Sequence, residues 1–345
     1  MNISQIYKSS TVKLISASPS PELDARILID FVVGKESLLL SHPKMPLTNA
    51  QYSRIRRLIT RRKKGEPIAY ITGHKEFYGL DFFVNKNVLI PRPESEELVS
   101  LALQRIKNNE LRIKHDKNKT IIHNSKFNIL DLGTGSGCMI ISLVSRLRQT
   151  FHPLPSTFYF FASDISQAAL RVARKNAKKL LFDSPSGVEN HAQFSTSSNS
   201  IKFVRSDLFQ NRLLHRKFDL IITNLPYVPL SDCHLEPFDC AQGRQGVERS
   251  HEISPTSLKA RGRNDNSVSF EPKNAIFAND NGASIIKRFL EEARNRLTPD
   301  GAILLELDPR NAKQIKSFAK KLYPTAKIEL KKDLAGLERY LKIRL

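Results

Sequence analysis

The chain has 345 residues, of which 40% are hydrophobic, and 55 lysines and arginines against 34 aspartates and glutamates give it a formal net charge of +21. This length and apolar content exclude a wholly disordered chain and leave room for two domains. The three cysteines are an odd, sparse set, which argues against a disulfide framework and for a reducing compartment. They include no Cys-x-x-Cys pair and the histidines show no metal-ligand spacing, so we expect no metal site. The positive charge fits a phosphate-rich partner such as RNA, an acidic protein, or simply a basic solvated surface.

No stretch of the chain approaches the roughly eighteen apolar residues that a membrane-spanning helix needs. Residues 1–20 lack the apolar core and the small-residue cleavage site of a signal peptide. We therefore expect a cytoplasmic protein that does not associate with membranes.

Residues 1–75 are predicted to be helical. Pro21 and Gly34 stand at the start and end of a segment with helical apolar spacing. Thr48 is placed to cap the next helix, whose outer face is densely basic.

An alternation of strands and helices follows this region. Residues 77–88 alternate aromatic and polar side chains around Gly79, which predicts a hairpin, and residues 94–106 have the pattern of an amphipathic helix. Helical stretches lie between most of the later strands, which predicts an α/β fold with a doubly wound, mainly parallel sheet. The predicted strands are 127–132, 157–163, 201–205, 218–223, 301–307, 326–330 and 339–344.

Three polar segments, near 107–126, 183–200 and 231–269, interrupt this alternation. Each is rich in Lys, Asn, Ser, Gly or Arg and poor in periodic apolar residues, so we expect surface insertions there.

A glycine-rich segment, Asp131-Leu-Gly-Thr-Gly-Ser-Gly137, follows the first strand of the alternation. Its glycines allow a tight turn and a close approach of the backbone to a ligand, and ligands of such sheets bind beyond the carboxyl ends of the strands. The acid and the alternating glycines differ from the dinucleotide-binding fingerprint, and a plain strand-to-helix turn is the alternative interpretation. We expect a cofactor to contact Asp131, Gly133, Thr134, Gly135, Ser136 and Gly137.

Two further acids end the next two strands. Asp164 is placed to accept hydrogen bonds from both ribose hydroxyls of a nucleoside, and it could also cap the following helix. Asp207 could accept from the amino group of an adenine, and Leu208 could pack on the ring. A plain turn explains the last pair almost as well.

The tetrapeptide Asn224-Leu-Pro-Tyr227 is the sharpest signal of chemistry. An amide nitrogen is a poor nucleophile, so acceptors that bind both its N–H groups would hold it and stabilise the positive charge that develops during transfer. The side-chain oxygen of Asn224 and the carbonyl of Leu225 are such acceptors, Pro226 stiffens the turn, and the ring of Tyr227 favours nearby positive charge. The alternative is an ordinary Asn-Pro turn. We expect Asn224, Pro226 and Tyr227 to be catalytic, and Asn224 to contact the cofactor as well.

These motifs resemble those of the HemK/PrmC family of protein-(glutamine-N5) methyltransferases, which modify peptide chain release factors. The resemblance covers nearly the whole chain outside the insertions and includes Gly65-Glu-Pro-Ile-Ala-Tyr-Ile-Thr-Gly73, Leu89-Ile-Pro-Arg-Pro-Glu-Ser-Glu96 and Lys332-Asp-Leu-Ala-Gly336. It implies a class I S-adenosylmethionine-dependent methyltransferase with a Rossmann-like, seven-stranded sheet over 99–345, a hairpin linker over 76–98 and an N-terminal helical substrate-recognition domain over 1–75.

The resemblance also implies which residues bind which ligand. S-adenosyl-L-methionine contacts the loop from Gly133 to Gly137, together with Asp164, Asp207 and Leu208. The tetrapeptide, including Leu225 and Pro226, binds the glutamine of a Gly-Gly-Gln motif in the release factor. We expect a monomer whose partner is the release factor, with a weak contact to RNA or the ribosome through its basic surface.

The chain departs from the family pattern at three positions. Leu225 stands where the family usually has proline, Leu208 stands where an aromatic residue is common, and Glu306-Leu-Asp308 replaces the usual Glu-Ile-Gly. Three alternatives stay open: methylation of a ribosomal-protein glutamine, adenine-N6 methylation of nucleic acid, and a catalytically silent binding protein.

Overall fold

The computed structural model describes residues 1–34, 38–115, 126–151, 154–155, 157–182, 200–229, 269–278 and 282–345. The chain forms two compact units, one built on Met1–His74 and the other on Lys75–His234 with Pro272–Leu345. Most of the predicted insertions at 183–200 and 231–269 lies outside the described residues, as do residues 116–125 of the first insertion.

The first unit is helical, as predicted, and packs around its own apolar core. Pro21 begins its second helix and Gly34 ends it in the left-handed conformation, with φ of 77°. The core comes from one face each of the first, second and fourth helices, with Ile3, Ile6, Leu14, Leu28, Ile29, Ile55, Leu58 and Ile59 buried. The described helices are α1 (Ile3–Leu14), α2 (Pro21–Val33), α3 (Leu38–Ser41), α4 (Asn49–Lys63) and α5 (Ile68–Thr72).

The predicted cap of α4 is present as a reciprocal pair. The Thr48 hydroxyl accepts from the Gln51 amide at 3.2 Å, and the Gln51 side chain accepts from the Thr48 amide at 3.0 Å. We expect Thr48→Ala to destabilise the helical unit by about 1 kcal/mol, because it removes the acceptor for a helix-terminal amide. Amide hydrogen exchange in peptides from Met1–His74 measures this loss. Thr60→Ala, in the exposed interior of the same helix, is the control, and equal exchange in the two variants would contradict the prediction.

The arginines of α4 do not all lie on its outer face. Arg56 and Arg57 are exposed, as the basic pattern predicts. Arg62 is buried instead, and its Nε donates to Asp24 Oδ2 at 2.6 Å. The Ser18 hydroxyl donates to the same carboxylate oxygen at 2.6 Å. An ion pair therefore lies inside the helical unit.

A hairpin opens the second unit, but it lies closer to the N-terminus than the predicted 77–88. Its strands are β1 (His74–Phe77) and β2 (Leu80–Phe83). The turn consists of Tyr78 and Gly79, both left-handed with φ of 55° and 77°. The Tyr78 amide donates to Glu96 Oε1 at 3.0 Å, which holds this unfavourable conformation of a non-glycine residue.

The helix predicted over 94–106 is longer in the structure. A single 3-10 turn, Pro93–Ser95, leads into α6 (Glu96–His115). Residues 107–115, which the sequence pattern assigned to a polar insertion, are therefore helical. Lys107, Glu110 and Arg112 are good helix formers. The low apolar content of this stretch therefore led to the prediction of a loop where the chain is helical.

The main sheet has seven strands, which are β3 (Phe127–Leu132), β4 (Phe158–Asp164), β5 (Ile201–Arg205), β6 (Phe218–Thr223), β9 (Leu297–Glu306), β10 (Lys327–Lys332) and β11 (Glu338–Arg344). Two short strands, β7 (Val228–Pro229) and β8 (Phe277–Ala278), pair with each other in a separate small sheet. All seven were predicted, with ends that agree within two residues except at the start of β9. Their order is β10-β11-β9-β6-β3-β4-β5, and β11 runs antiparallel to both of its neighbours, whereas the pairings from β9 to β5 are parallel. This confirms the class I methyltransferase fold.

Helices cover the sheet and bury its strands. The described helices of this part are α6, α7 (Cys138–Thr150), α8 (Gln167–Leu181), α9 (Ser284–Ala293) and α10 (Ala312–Leu322). Ile129, Ile140, Val144 and Leu220 are completely buried between sheet and helices. This core fixes the strands against one another and so fixes the loops at their ends. Among the described residues, no helix is long and apolar enough to cross a membrane.

Candidate functional site

The carboxyl ends of the central strands meet at one edge of the sheet. Leu132 of β3 is in register with Ser163 of β4 on one side and with Thr223 of β6 on the other, and Thr223 is in register with Leu305 of β9. The chain moves outward from β3 in one direction through β4 and β5, and in the other through β6 and β9. Such a reversal opens a crevice beyond the strand ends, where ligands of these sheets bind. The glycine-rich loop and the tetrapeptide lie side by side there.

The glycine-rich loop is tied to the end of β4. The Gly133 and Thr134 amides both donate to the Ser163 carbonyl, at 2.8 and 2.9 Å. Gly133, Gly135 and Gly137 have φ of 75°, 55° and 82°, a region that side chains rarely adopt. A Cβ on Gly137 would lie 2.7 Å from an Ile141 methyl, whereas one on Gly135 would meet no atom within 4 Å. Gly137 is therefore needed for packing, and Gly135 faces open space.

Asp131 lies inside this loop and is completely buried. Its Oδ2 accepts from the Thr134 hydroxyl at 2.7 Å. Burial raises the pKa of Asp131 to about 7, against the opposing effects of the Thr134 hydroxyl and the Ile140 amide. Asp131 therefore stabilises the loop through Thr134. The predicted contact of Asp131 with a cofactor stays a prediction. The neighbouring Ser136 is also buried, and its carbonyl accepts from Asn176 at 2.9 Å.

The raised pKa of Asp131 predicts a specific pH dependence of stability. Because the ordinary value is 3.8, the folded protein binds this proton more tightly than the unfolded chain does. The stability that the proton contributes is complete below about pH 4 and is lost as the pH rises through about 7. Asp131→Asn keeps an acceptor for Thr134 but never ionises. We expect the free energy of unfolding of the variant, relative to the unsubstituted protein, to be higher at pH 8 than at pH 5 by on the order of 2 kcal/mol.

Urea unfolding at the two pH values measures this difference. A gap between variant and unsubstituted protein that does not change with pH would show that the Asp131 carboxyl titrates normally.

Asp164 joins the loop to the end of β4. Its Oδ2 accepts from the Gly135 amide at 2.9 Å and its Oδ1 from the Ser166 amide at 2.8 Å. The helix cap of α8 is Ser166, so the alternative role of Asp164 as the cap is wrong. Burial raises the pKa of Asp164, although both backbone amides oppose the shift. The side chain is half-buried and lies beside the open part of the loop, as a ribose-binding acid would.

Asp207 and Leu208 follow β5 at the same edge. Asp207 is half-buried, and its carboxylate forms an ion pair with Arg288 and accepts from Gln210 at 3.4 Å. Leu208 is buried and left-handed, with φ of 45°. Backbone strain in a non-glycine residue often marks a functional loop. The pair lies where predicted, but the Asp207 carboxylate already has a cationic partner, which the sequence did not reveal.

Asn224 follows β6 and is held by its nitrogen. Nδ2 donates to Ser95 Oγ at 2.9 Å and to Glu306 Oε2 at 2.9 Å. Both hydrogens of Nδ2 are therefore used. Among the described residues, Oδ1 accepts no hydrogen bond and remains an acceptor for a ligand. The side chain is half-buried, so a ligand can reach it.

Glu306 connects both ends of the tetrapeptide. The Tyr227 hydroxyl donates to Oε1 at 2.8 Å, and the Ser95 hydroxyl donates to Oε2 at 2.6 Å. Burial raises the pKa of Glu306, while the Ser95 and Tyr227 hydroxyls and the charge of Arg339 oppose the shift. This buried carboxyl therefore fixes the first and last residues of the tetrapeptide.

Leu225 and Pro226 lie between these anchors. Leu225 is buried, and its side chain lies against the glycine-rich loop, 3.5 Å from where a Cβ on Gly133 would be. The sequence suggested only a backbone acceptor at this position, but the side chain also packs against the neighbouring motif. Pro226 is half-buried at the crevice.

Sequence reasoning missed the roles of Ser95 and Glu306. Ser95 is 129 residues from Asn224 in the chain, and Glu306 is 82 residues from it. An available signal was the acid at the end of β9, since the predicted sheet brings that strand beside β6.

The residues along the crevice match the groups that S-adenosylmethionine would present to them. This ligand needs a backbone that approaches it closely, an acceptor for ribose hydroxyls and an acceptor for an adenine amino group. The open Gly135, the half-buried Asp164 and the half-buried Asp207 are arranged along one edge in that order. The residues present therefore fit the group.

Comparison with known families assigns both parts of the chain. Residues 5–73 match the PrmC N-terminal domain, and residues 123–333 match a methyltransferase domain.

Curated relatives match over most of the chain. A release factor glutamine methyltransferase of Rhodopirellula baltica is 31% identical over 95% of this chain and 90% of its own length. One of Leptospira interrogans is 34% identical over 94% and 91%. A bifunctional methyltransferase of Rickettsia typhi is 33% identical over 91% of this chain, which spans only 52% of that longer relative.

Proposed function

Because this chain belongs to the release factor glutamine methyltransferase family, we propose that it methylates the side-chain amide nitrogen of the glutamine in the Gly-Gly-Gln motif of a release factor. S-adenosyl-L-methionine, when bound, supplies the electrophilic methyl group. The loop from Gly133 to Gly137, with Asp164, Asp207 and Leu208, holds this cofactor.

The observation that carries the proposal is the orientation of Asn224 beside the glycine-rich loop. Its Oδ1 faces away from the two groups that bind Nδ2 and accepts one N–H of the substrate amide. The carbonyl of Leu225 accepts the other. Two acceptors on one planar amide fix its direction and favour the positive charge that develops on nitrogen during transfer.

The remaining tetrapeptide residues shape the position of the amide. Tyr227, fixed through its hydroxyl by Glu306, presents a ring whose face favours positive charge nearby. Pro226 restricts the backbone between the two anchors. A newly methylated amide cation is a strong acid, so its proton leaves to solvent without a dedicated base.

The proposal extends to the organisation of the chain. Residues 1–75 recognise the release factor, residues 76–98 connect the two domains, and residues 99–345 catalyse the methyl transfer. The exposed arginines of α4, among them Arg56 and Arg57, support a weak additional contact with RNA or the ribosome. The enzyme works as a monomer in the cytoplasm.

Transfer of label from S-adenosylmethionine tests the proposal against its alternatives. Purified release factor, ribosomal proteins, DNA and RNA are offered separately. We expect label in the release factor. Label confined to ribosomal protein or to nucleic acid would replace this function by one of the alternatives, and no label anywhere would favour a silent binding protein.

A further inference from the structure

We propose that Glu306 and Ser95 are positioning residues that determine which end of the Asn224 side chain faces the substrate. The inference rests on the proposed function, because it concerns the same acceptor. It assigns to two buried residues a task that the tetrapeptide cannot perform alone.

An asparagine side chain has nearly the same shape with its oxygen and nitrogen exchanged. The two orientations differ completely in chemistry, because the oxygen accepts and the nitrogen donates. A substrate amide that offers N–H groups needs the oxygen. If Asn224 presented its nitrogen instead, two donors would face each other and binding would be lost.

Glu306 and Ser95 exclude the wrong orientation. Glu306 Oε2 already receives the Ser95 hydroxyl at 2.6 Å and therefore faces Asn224 as an acceptor. The Ser95 oxygen, whose hydrogen is used in that bond, is also an acceptor towards Asn224. Two acceptors, each 2.9 Å from the same atom, require that atom to be the nitrogen.

The surroundings keep this arrangement rigid. Glu306 is 1% exposed and Ser95 is 4% exposed, so water does not compete for these bonds. Thr223 and Leu305 are paired in the sheet, which places the residues that follow them, Asn224 and Glu306, side by side. The other carboxylate oxygen of Glu306, Oε1, accepts from the Tyr227 hydroxyl, so the carboxylate cannot rotate away from Asn224 without losing that bond. A single buried group thus sets the direction of the acceptor and the position of the ring.

Glu306→Gln is the most informative variant, because it keeps the shape but replaces two charged acceptor oxygens by one neutral one. The bond from Asn224 is then weakened if the amide oxygen faces it and lost if the amide nitrogen does. We expect kcat/KM for methylation to fall about 10- to 100-fold, since misplaced catalytic groups cost that much. The Kd for S-adenosylmethionine should stay within about threefold of the unsubstituted value, because the cofactor residues are untouched. Ser95→Ala removes one of two acceptors and should give a smaller loss. Glu329→Gln, the same change at a glutamate of β10 whose side chain is 43% exposed, is the control.

Two further measurements separate positioning from a merely structural role. In an Asn224→Ala background, Glu306→Gln should cause a smaller loss than it causes alone, because the part of its effect that passes through Asn224 is already gone. The side-chain amide protons of Asn224, assigned in NMR spectra by their absence in Asn224→Ala, should exchange slowly with solvent and become fast in Glu306→Gln.

The outcomes are distinguishable. Glu306→Gln activity equal to that of the control, an equal loss in the Asn224→Ala background, or unchanged amide exchange would overturn the positioning role. Absence of transfer to release factor by the unsubstituted protein would overturn the proposed function, and the exchange measurement would still decide the orientation of Asn224.

Discussion

Asn224→Ala is expected to lower kcat for release-factor methylation by about 10²- to 10³-fold, the cost of removing one preorganised polar group that stabilises developing charge. The substitution removes Oδ1, which the structure leaves for a ligand, and also the two bonds from Nδ2 to Ser95 and Glu306. The glycine-rich loop does not depend on those bonds, and Asn224 is only one of the residues expected to contact the cofactor. The Kd for S-adenosylmethionine is therefore expected to change by less than about threefold.

Single-turnover kinetics and titration calorimetry measure the two quantities separately. Asn128→Ala is the matched control, because Asn128 lies at the start of β3, at the opposite edge of the sheet, where its Nδ2 donates to the Lys217 carbonyl at 3.2 Å. Turnover of Asn224→Ala equal to that of the control would mean that the tetrapeptide is only a turn.

Asp24→Ala is expected to destabilise the helical unit by about 3–5 kcal/mol, the cost of leaving a buried charge without its partner. The Arg62 and Asp24 side chains are 7% and 11% exposed, and their atoms are 2.6 Å apart. Removing the carboxylate also leaves the buried Ser18 hydroxyl without its acceptor. This cost is comparable to the whole stability of many small domains, so the unit should be largely unfolded under mild conditions.

Hydrogen exchange followed peptide by peptide reports each unit separately. Peptides within Met1–His74 should lose protection, while those of β3 and β6 should keep it. Glu66→Ala, which breaks the Arg61–Glu66 pair in the same unit, is the control and should cost less than about 1 kcal/mol, because Arg61 is 40% exposed. Equal protection in the two variants would show that the buried pair contributes no more than a surface pair.

The local features of the fold could be predicted from sequence because their causes are local. Short, mainly apolar runs predicted β3 and β6, and proline and glycine marked the ends of α2. The glycine at position 137 likewise indicated a tight turn, and its φ of 82° is a conformation that glycine adopts without strain. The α/β alternation then placed the glycine-rich segment and the tetrapeptide at strand ends, which the register of β3 and β6 confirms.

The features that could not be predicted depend on contacts between distant parts of the chain. Arg62 belongs to a basic run, and only the packing of α4 on α2 shows that it is buried against Asp24. Ser95 and Glu306 are 211 residues apart, and only the strand order brings both to Asn224. Periodicity carries no information about such pairings. The length of α6 was misjudged for a different reason, because a polar helix lacks the apolar stripe on which the prediction depended.

Different carboxyl groups stabilise the glycine-rich loop and the tetrapeptide. The loop from Gly133 to Gly137 is stabilised by two carboxyl groups, because its Thr134 hydroxyl donates to Asp131 and its Gly135 amide donates to Asp164. Asn224 and Tyr227 are held from below by Glu306. Leu225 packs the two motifs against each other.

The proposed activity is the delivery of a methyl group from this crevice to one amide nitrogen of a release factor. Mass spectrometry of release factor incubated with the protein and S-adenosylmethionine locates the added methyl group. We expect a single methyl on the side-chain nitrogen of the Gly-Gly-Gln glutamine with the unsubstituted protein, and almost none with Asn224→Ala. A methyl group on another residue, or an equal yield from Asn224→Ala, would contradict it.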